Sequence, residues 1–461
     1  MKDHASLRAD AETIFRAGVL RVDPRPMVRE AVRLEGSILT IQADGRSQTW
    51  DLANYDRLMV LGFGKASARM ALGLEDALGN RIRGGLIAVK HGHGEILGFM
   101  ELIEASHPVP DESSAQAARR ILALAKEADE RTLVIILVSG GGSAILCAPW
   151  GDAPWDDGRR RISLKDKAAV TSALLACGAD IREINTVRRH LSAVKGGRLA
   201  AALFPATVVS LVLSDVLGDE LSSIASGPTV PDATYWADAM GVVQRYNIES
   251  RIPEAAMQLL RDGLAGEVPD TPKPGDPLFN KVSNIILGSN RQAALAAVAK
   301  AEELGYRTVY LGSRVACEAR EAALFYQGIA ASSASHGEPA VPPACIIGGG
   351  ETTVTIRGEG KGGRNQEMAL AFLCGLIDME PGLAERLCFL SGGTDGNDGP
   401  TDAAGAFADA ALLASSRKAG LDPRKFLASN DSYHYFEHIH GLLKTGPTNT
   451  NVCDLQVALI V

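Results

Sequence analysis

The stretch Cys345–Glu367, CIIGGGETTVTIRGEGKGGRNQE, gathers residue types that handle anions. It reads as a short apolar strand (Cys345–Ile347), a triple-glycine turn ending in an acid (Gly348–Glu351) and a second, β-branched strand (Thr352–Ile356). The loop Arg357–Arg364 then carries four glycines and three cations, and a helix opens at about Asn365. Glycines at strand ends let backbone N–H groups approach a ligand, and concave arrays of such groups favour anions. Arg364, set just before a helix, adds a rigid guanidinium fork to that helix's positive end. Gly349, Gly350 and Glu351 are therefore candidate phosphate-binding residues. The plainer alternative is a surface hairpin whose loop happens to be basic. It loses ground because the construction recurs.

A Gly-rich loop also joins an apolar strand to a helix at GFGKAS (62–67), SGGGSA (139–144), GSNRQA (288–293) and SGGTDG (391–396). GFGKAS is half a dinucleotide fingerprint: its third glycine is missing, as is the acid expected about 20 residues on to hold a ribose hydroxyl. Lys90 ends the next strand instead. What remains is Lys65 on a helix N-terminus, a compact charge suited to a phosphoryl group. In SGGGSA, the backbone of Gly140, Gly141 and Gly142 and the hydroxyls of Ser139 and Ser143 could cradle phosphates without a lysine. NTVRRHLSAVKGGRLA (185–200) falls in an expected helix, Arg188–Leu203, which sets Arg188, Ser192 and Lys195 on one face; a merely solvated face is the alternative. Acids follow strands at Asp215 and Asp219, and again at Asp395, Asp398 and Asp402. Magnesium prefers one or two carboxylates with waters and phosphates, so Asp215 and Asp395 are the metal or base candidates. Turn capping accounts for Asp398 and Asp402. His434, His438 and His440 lack a ligand pattern and read as structural or surface residues. No G-x-S-x-G or H-E-x-x-H motif supports a hydrolase or metalloprotease.

These loops need strands and helices to aim them. Residues 5–34 read as helical with an interruption at Pro24–Pro26, and Ile38–Leu52 as a hairpin. Strands at Leu58–Gly62, Leu86–Val89, Leu102–Ala105, Leu133–Val138 and Thr207–Leu213 alternate with helices, which argues for a doubly wound α/β domain. The helix Asp111–Glu130 has Ser113 or Ser114 as its expected cap. Pro228–Pro277 is rich in Pro, Asp and Gly, so a boundary is expected near its start, giving domains 1–240 and 241–461. The second domain continues the alternation from Asn284–Leu287 through the expected helix Ala406–Ala419 to a closing strand at Leu455–Val461. The N-terminal helix can pack on either domain.

The 461 residues, 46% hydrophobic and 22% charged, suffice for sizeable cores, and the net charge of −8 offers no global attraction to nucleic acid or anionic membranes. Seven scattered cysteines without C-x-x-C spacing read as free thiols in a reducing cytoplasm. The longest apolar run, Leu133–Val138, is far short of the ~18 residues of a membrane span, and the N-terminus lacks the apolar core of a signal peptide.

Taken in order, GFGKAS, HPVPDE (107–112), SGGGSA, NTVRRHLSAVKGGRLA, SDVLGD, ASGPTVPD, GGETTVTIRGEGKGGRNQE, SGGTDGNDGPTDAAGA and NDSYHYF (430–436) resemble the glycerate 2-kinases of the MOFRL type. The resemblance runs from about residue 8 to the C-terminus. It implies ATP- and Mg²⁺-dependent phosphorylation of D-glycerate. It also implies an α/β fold of two α/β domains, the first Rossmann-like, facing each other across a cleft. Lys65 and Arg364 carry over as catalytic cations, one per domain. On this reading the Ser139–Ala144 loop and the Gly348–Glu351 turn hold nucleotide phosphates. Asp215 or Asp395 holds the metal, with Asp215 also a candidate base, and Arg188, Lys195, Arg198 and Asn365 bind substrate. The partners expected are glycerate and the nucleotide, with no nucleic acid and no membrane, and a homodimer as the candidate assembly. Two alternatives stay open, an NAD(P)H-dependent hydroxypyruvate reductase and a non-catalytic sugar-phosphate or nucleotide sensor.

Overall fold

Every residue of Thr132–Val138 is buried, which an apolar strand tolerates only when both faces of its sheet are covered. The computed structural model, which describes residues 2–151 and 160–461, sets this strand inside a six-stranded sheet. The chain forms two compact units, one of Pro24–Ser214 with Asp219–Leu287, the other of Met1–Asp23, Asp215–Gly218 and Gly288–Val461.

The first unit begins with an antiparallel meander, β1 (Val32–Glu35), β2 (Ile38–Ala43) and β3 (Arg46–Asp51). Its main sheet comprises β4 (Arg57–Phe63), β5 (Ile82–Lys90), β6 (Glu101–Ala105), β7 (Thr132–Val138), β8 (Thr207–Leu213) and β9 (Val282–Gly288), in the order β6-β5-β4-β7-β8-β9. Neighbours from β6 through β8 pair in parallel. The chain starts at β4, winds outward to β6, then returns to β7. That reversal makes the carboxyl edge between β4 and β7 a topological switch point, where ligands of open α/β sheets bind. The helix Glu112–Ala125 takes its cap from Asp111, not from the expected serines, and Ser114 closes the capping box three residues on.

Two expectations change in this unit. Pro228–Pro277 contains the helices Trp236–Arg245 and Glu254–Leu264, which share a core of Trp150, Leu174, Val187, Trp236 and Leu260 with the helices Leu164–Ala176 and Ile181–His190. The expected boundary at 240/241 thus falls inside a packed helix, and the units part after Leu287 because β9 completes the first sheet. The expected helix Arg188–Leu203 is also two pieces. The first ends at His190, Gly196 and Gly197 take left-handed φ values of +59° and +80°, and a second runs Arg198–Leu203.

The second unit carries β10 (Arg307–Tyr310), β11 (Ala344–Gly350), β12 (Leu387–Gly393), β13 (Gly405–Asp409), β14 (Leu442–Leu443) and β15 (Asp454–Ile460), ordered β10-β11-β15-β12-β13-β14. Only β10 and β11 pair in parallel. The triple glycine belongs to β11 and is not a turn. Thr352–Ile356 forms no strand; Thr353 makes one parallel bridge to Glu318. The expected helix Ala406–Ala419 starts as β13, because Gly405 lies so close to the carbonyl of Ser391 that a Cβ would sit 1.9 Å from it. The helix His4–Arg21 packs here against the helix Asn290–Glu303, β12 and β15, burying Leu7, Ile14 and Phe15.

Candidate active site

Phe63 of β4 pairs with Val138 of β7, so both strands end level and their loops leave the sheet side by side. The N–H of Lys65 donates to the carbonyl of Gly140 (2.9 Å), and the N–H of Ala66 to the hydroxyl of Ser139 (3.0 Å). Ser139 is thus a buried strut between the loops. Gly64 has φ +130° and could not carry a Cβ, which would fall 2.3 Å from that hydroxyl. The N–H groups of Gly140 and Gly141 make no backbone hydrogen bond among the described residues. Lys65 is half-buried and has no ion pair among the described residues. An ammonium beside unclaimed amides is an arrangement suited to an anion.

Gly142–Ile145 forms one helical turn that carries Ser143 toward a second group of residues in the same unit. Its hydroxyl lies 2.7 Å from that of Ser226, and the Lys195 ammonium donates to the Ser143 hydroxyl (2.5 Å) and carbonyl (2.8 Å). Ser226 (φ +62°) and Ala225 (φ +50°) both sit in the left-handed region, a strain that functional sites often hold. Ser226 in turn reaches Asn185 (3.5 Å). Burial, reinforced by Lys167, pulls the Lys195 pKa well below its ordinary value. Arg188 is half-buried and without an ion pair among the described residues, and burial lowers its pKa too. Desolvated cations without carboxylates suit a small acid. Arg198 is different. It is fully buried, donates to the carbonyls of Arg189 (2.7 Å) and Ser192 (2.9 Å), and lies 4.6 Å from the Trp150 ring centre. It ties down the broken end of the helix Ile181–His190, where backbone carbonyls engage its guanidinium.

In the second unit the helix Arg364–Leu376 starts one residue earlier than expected, with Arg364 as its first residue. The Arg364 fork donates to both carboxylate oxygens of Asp454 (2.6 and 3.0 Å) and to Glu351 (3.0 Å). Burial opposes its charge, but Asp454 and Glu351 outweigh it and raise its pKa. Asp454 begins β15 and pairs with Gly350 on one side and Gly393 on the other. It is fully buried, which raises its own pKa despite Arg364. Asn365 donates to Asp454 (3.0 Å) and Asp398 (3.3 Å) and accepts from Ser391 (2.6 Å), so it braces these acids. Asp398 accepts the N–H groups of Asn365 and Gln366 as a helix cap, and burial pushes its pKa up to about 6.

The glycines of β11 answer to packing. A Cβ on Gly348 would lie 1.9 Å from the Tyr326 hydroxyl, and one on Gly349 would lie 2.0 Å from Asn290 Oδ1. The N–H groups of Gly349 and Glu351 already donate to Gly312 and Val315, so the expected amide cradle at Gly349, Gly350 and Glu351 does not form. Asp215 belongs to this unit, and its carbonyl accepts from the thiol of Cys453 (3.3 Å), which also feels the charges of Glu351 and Asp454. Asp395 Oδ1 accepts from the N–H of Asn397 (3.0 Å), a turn cap. Among the described residues no three His, Cys, Asp or Glu side chains form a metal cage. Sequence reasoning missed Asp454, Asn185 and Ser226. The one local sign for Asp454 is an acid at the start of an apolar strand.

Two family models match the chain. Residues 10–261 match a domain of unknown function (DUF4147), and residues 344–454 match the MOFRL family. The D-glycerate 2-kinase of Thermotoga maritima is 40% identical over 95% of this chain and 100% of its own length. The glycerate 2-kinase of Pyrococcus horikoshii is 38% identical over 95% of this chain and 94% of its own. The crystal structure of glycerate kinase from Thermotoga maritima superposes with a TM-score of 0.86 at 39% identity, covering 99% of this chain and 100% of that one.

Proposed function

The chain belongs to the MOFRL-type glycerate 2-kinase family, and we infer that it transfers the γ-phosphoryl group of ATP to D-glycerate, giving 2-phosphoglycerate. In this chain the reading is carried by Lys65, an ammonium without an ion pair among the described residues, beside two unclaimed amides at the switch point of a doubly wound sheet. Phosphoryl transfer needs positioning and charge neutralisation more than covalent chemistry, and these are what such a loop pair supplies. Lys65 and Arg364 are the catalytic cations of this reading. The Gly140–Ser143 loop receives nucleotide phosphates. Arg188 pairs with the glycerate carboxylate, while Lys195, Ser143 and Ser226 offer donors to its hydroxyls. Asp215 and Glu351 are the carboxylates that fit Mg²⁺, which in this company of one or two acids neutralises phosphate charge when bound. The seven free thiols suit a reducing cytoplasm.

A coupled assay of ADP release, run with and without D-glycerate, tests the reading. ADP release dependent on glycerate, with phosphorus NMR placing the phosphate on the C2 oxygen, is expected. Steady NADH or NADPH oxidation with hydroxypyruvate would favour the reductase instead. Lys65→Ala should lower kcat by ~10³-fold with an unchanged circular dichroism spectrum, the scale on which removing a charge-stabilising donor acts.

A further inference from the structure

The motif HPVPDE and the lysine that ends β5 stand beside Lys65. Ala88 of β5 pairs with Phe63 of β4, and Lys90 of β5 pairs with Ala105 of β6, so the three strands finish at one edge. Lys90 is the last residue of β5, His93 follows in the next loop, and His107 follows β6. Gly141 shows how closely they gather: with φ +80°, a Cβ there would lie 2.8 Å from His107 Cδ2 and 3.3 Å from Lys65 Cγ. Lys65 and His107 therefore converge on the backbone of the SGGGSA loop. Lys90, like Lys65, has no ion pair among the described residues. The carboxylates that follow Lys90 in the chain are engaged elsewhere, Glu95 by Arg69 (3.5 Å), Glu101 by Arg120, and Glu104 by His91 (3.5 Å) and the N–H of Gly92 (3.2 Å). Like charges brought together without a counter-charge cost stability unless an anion joins them.

We propose that Lys90, His93 and His107 extend the Lys65 loop into a binding site for the polyphosphate chain of a nucleoside triphosphate. The proposal rests on the kinase reading and names which residues receive the phosphates. Burial first, then Lys65, Lys90 and His93, push His107 down to about 4. Its ring is neutral at pH 7 and offers an N–H donor. Burial and the two lysines lower His93 as well, against the Lys65 carbonyl and Glu104, which favour its protonated ring. Lys90 supplies a full charge, so it should matter most.

Titration calorimetry on the full chain, with ADP and with inorganic tripolyphosphate as probes, tests the site. Lys90→Ala should weaken both by ~10-fold or more, His107→Gln by several-fold, and Lys90→Arg should largely restore binding. The KM for D-glycerate at saturating ATP should stay near the wild-type value. Wild-type affinity for both probes in Lys90→Ala and His107→Gln overturns the site, even where glycerate phosphorylation is normal. Weakened tripolyphosphate binding in a chain that phosphorylates no glycerate upholds the site and removes the kinase reading instead.

Discussion

Asp454 holds the Arg364 fork with two hydrogen bonds, so their separation tests whether the guanidinium must be aimed or only present. Asp454→Asn keeps the shape but removes the charge that fixes the fork. It should lower kcat by ~10²-fold with little change in the KM for glycerate, as steady-state kinetics would record. A comparable loss in Arg364→Lys would show that the planar fork, rather than charge alone, is required. Arg364 was legible in the sequence because a cation after glycines and before a helix is a local pattern. Its partner was not, because it lies 90 residues away and only the register of β15 between β11 and β12 joins them. Arg198 and Asn365 show the converse. A buried polar group whose hydrogen bonds are complete looks, in sequence, like one that awaits a ligand.

Elements were legible where apolar runs were continuous or strictly periodic, as in β4, β7 and β8. They were not where backbone geometry overrode pattern. Gly196 and Gly197 split what spacing alone made a single helix, and that break turns Lys195 inward to Ser143 while Arg198 restarts the chain. In β11 the glycines looked like a ligand cradle but exist so that Tyr326 and Asn290 can approach the strand. Gly348→Ala should therefore destabilise the second unit by about 3 kcal/mol, measurable as a lower midpoint in urea, because the fully buried Tyr326 ring that meets it cannot give way cheaply. Gly382, where a Cβ meets nothing within 4 Å, is the control; alanine there should leave stability nearly unchanged.

At the scale of the molecule, the alternation of strands and helices announced α/β architecture and the Gly-rich loops marked the carboxyl ends of its strands. The partition was less legible, since a run of Pro, Asp and Gly resembles a linker even when helices within it share a core with distant ones. The second unit also takes in the first 23 residues of the chain. Removing residues 1–23 should expose β12 and β15 and raise their amide hydrogen exchange, while β4 and β7 keep their protection, as mass spectrometry would resolve. The same discontinuity bears on biosynthesis. The helix His4–Arg21 is translated long before the strands that cover Leu7, Ile14 and Phe15. Its greasy stripe must wait through most of elongation, a natural client for a chaperone at the exit tunnel.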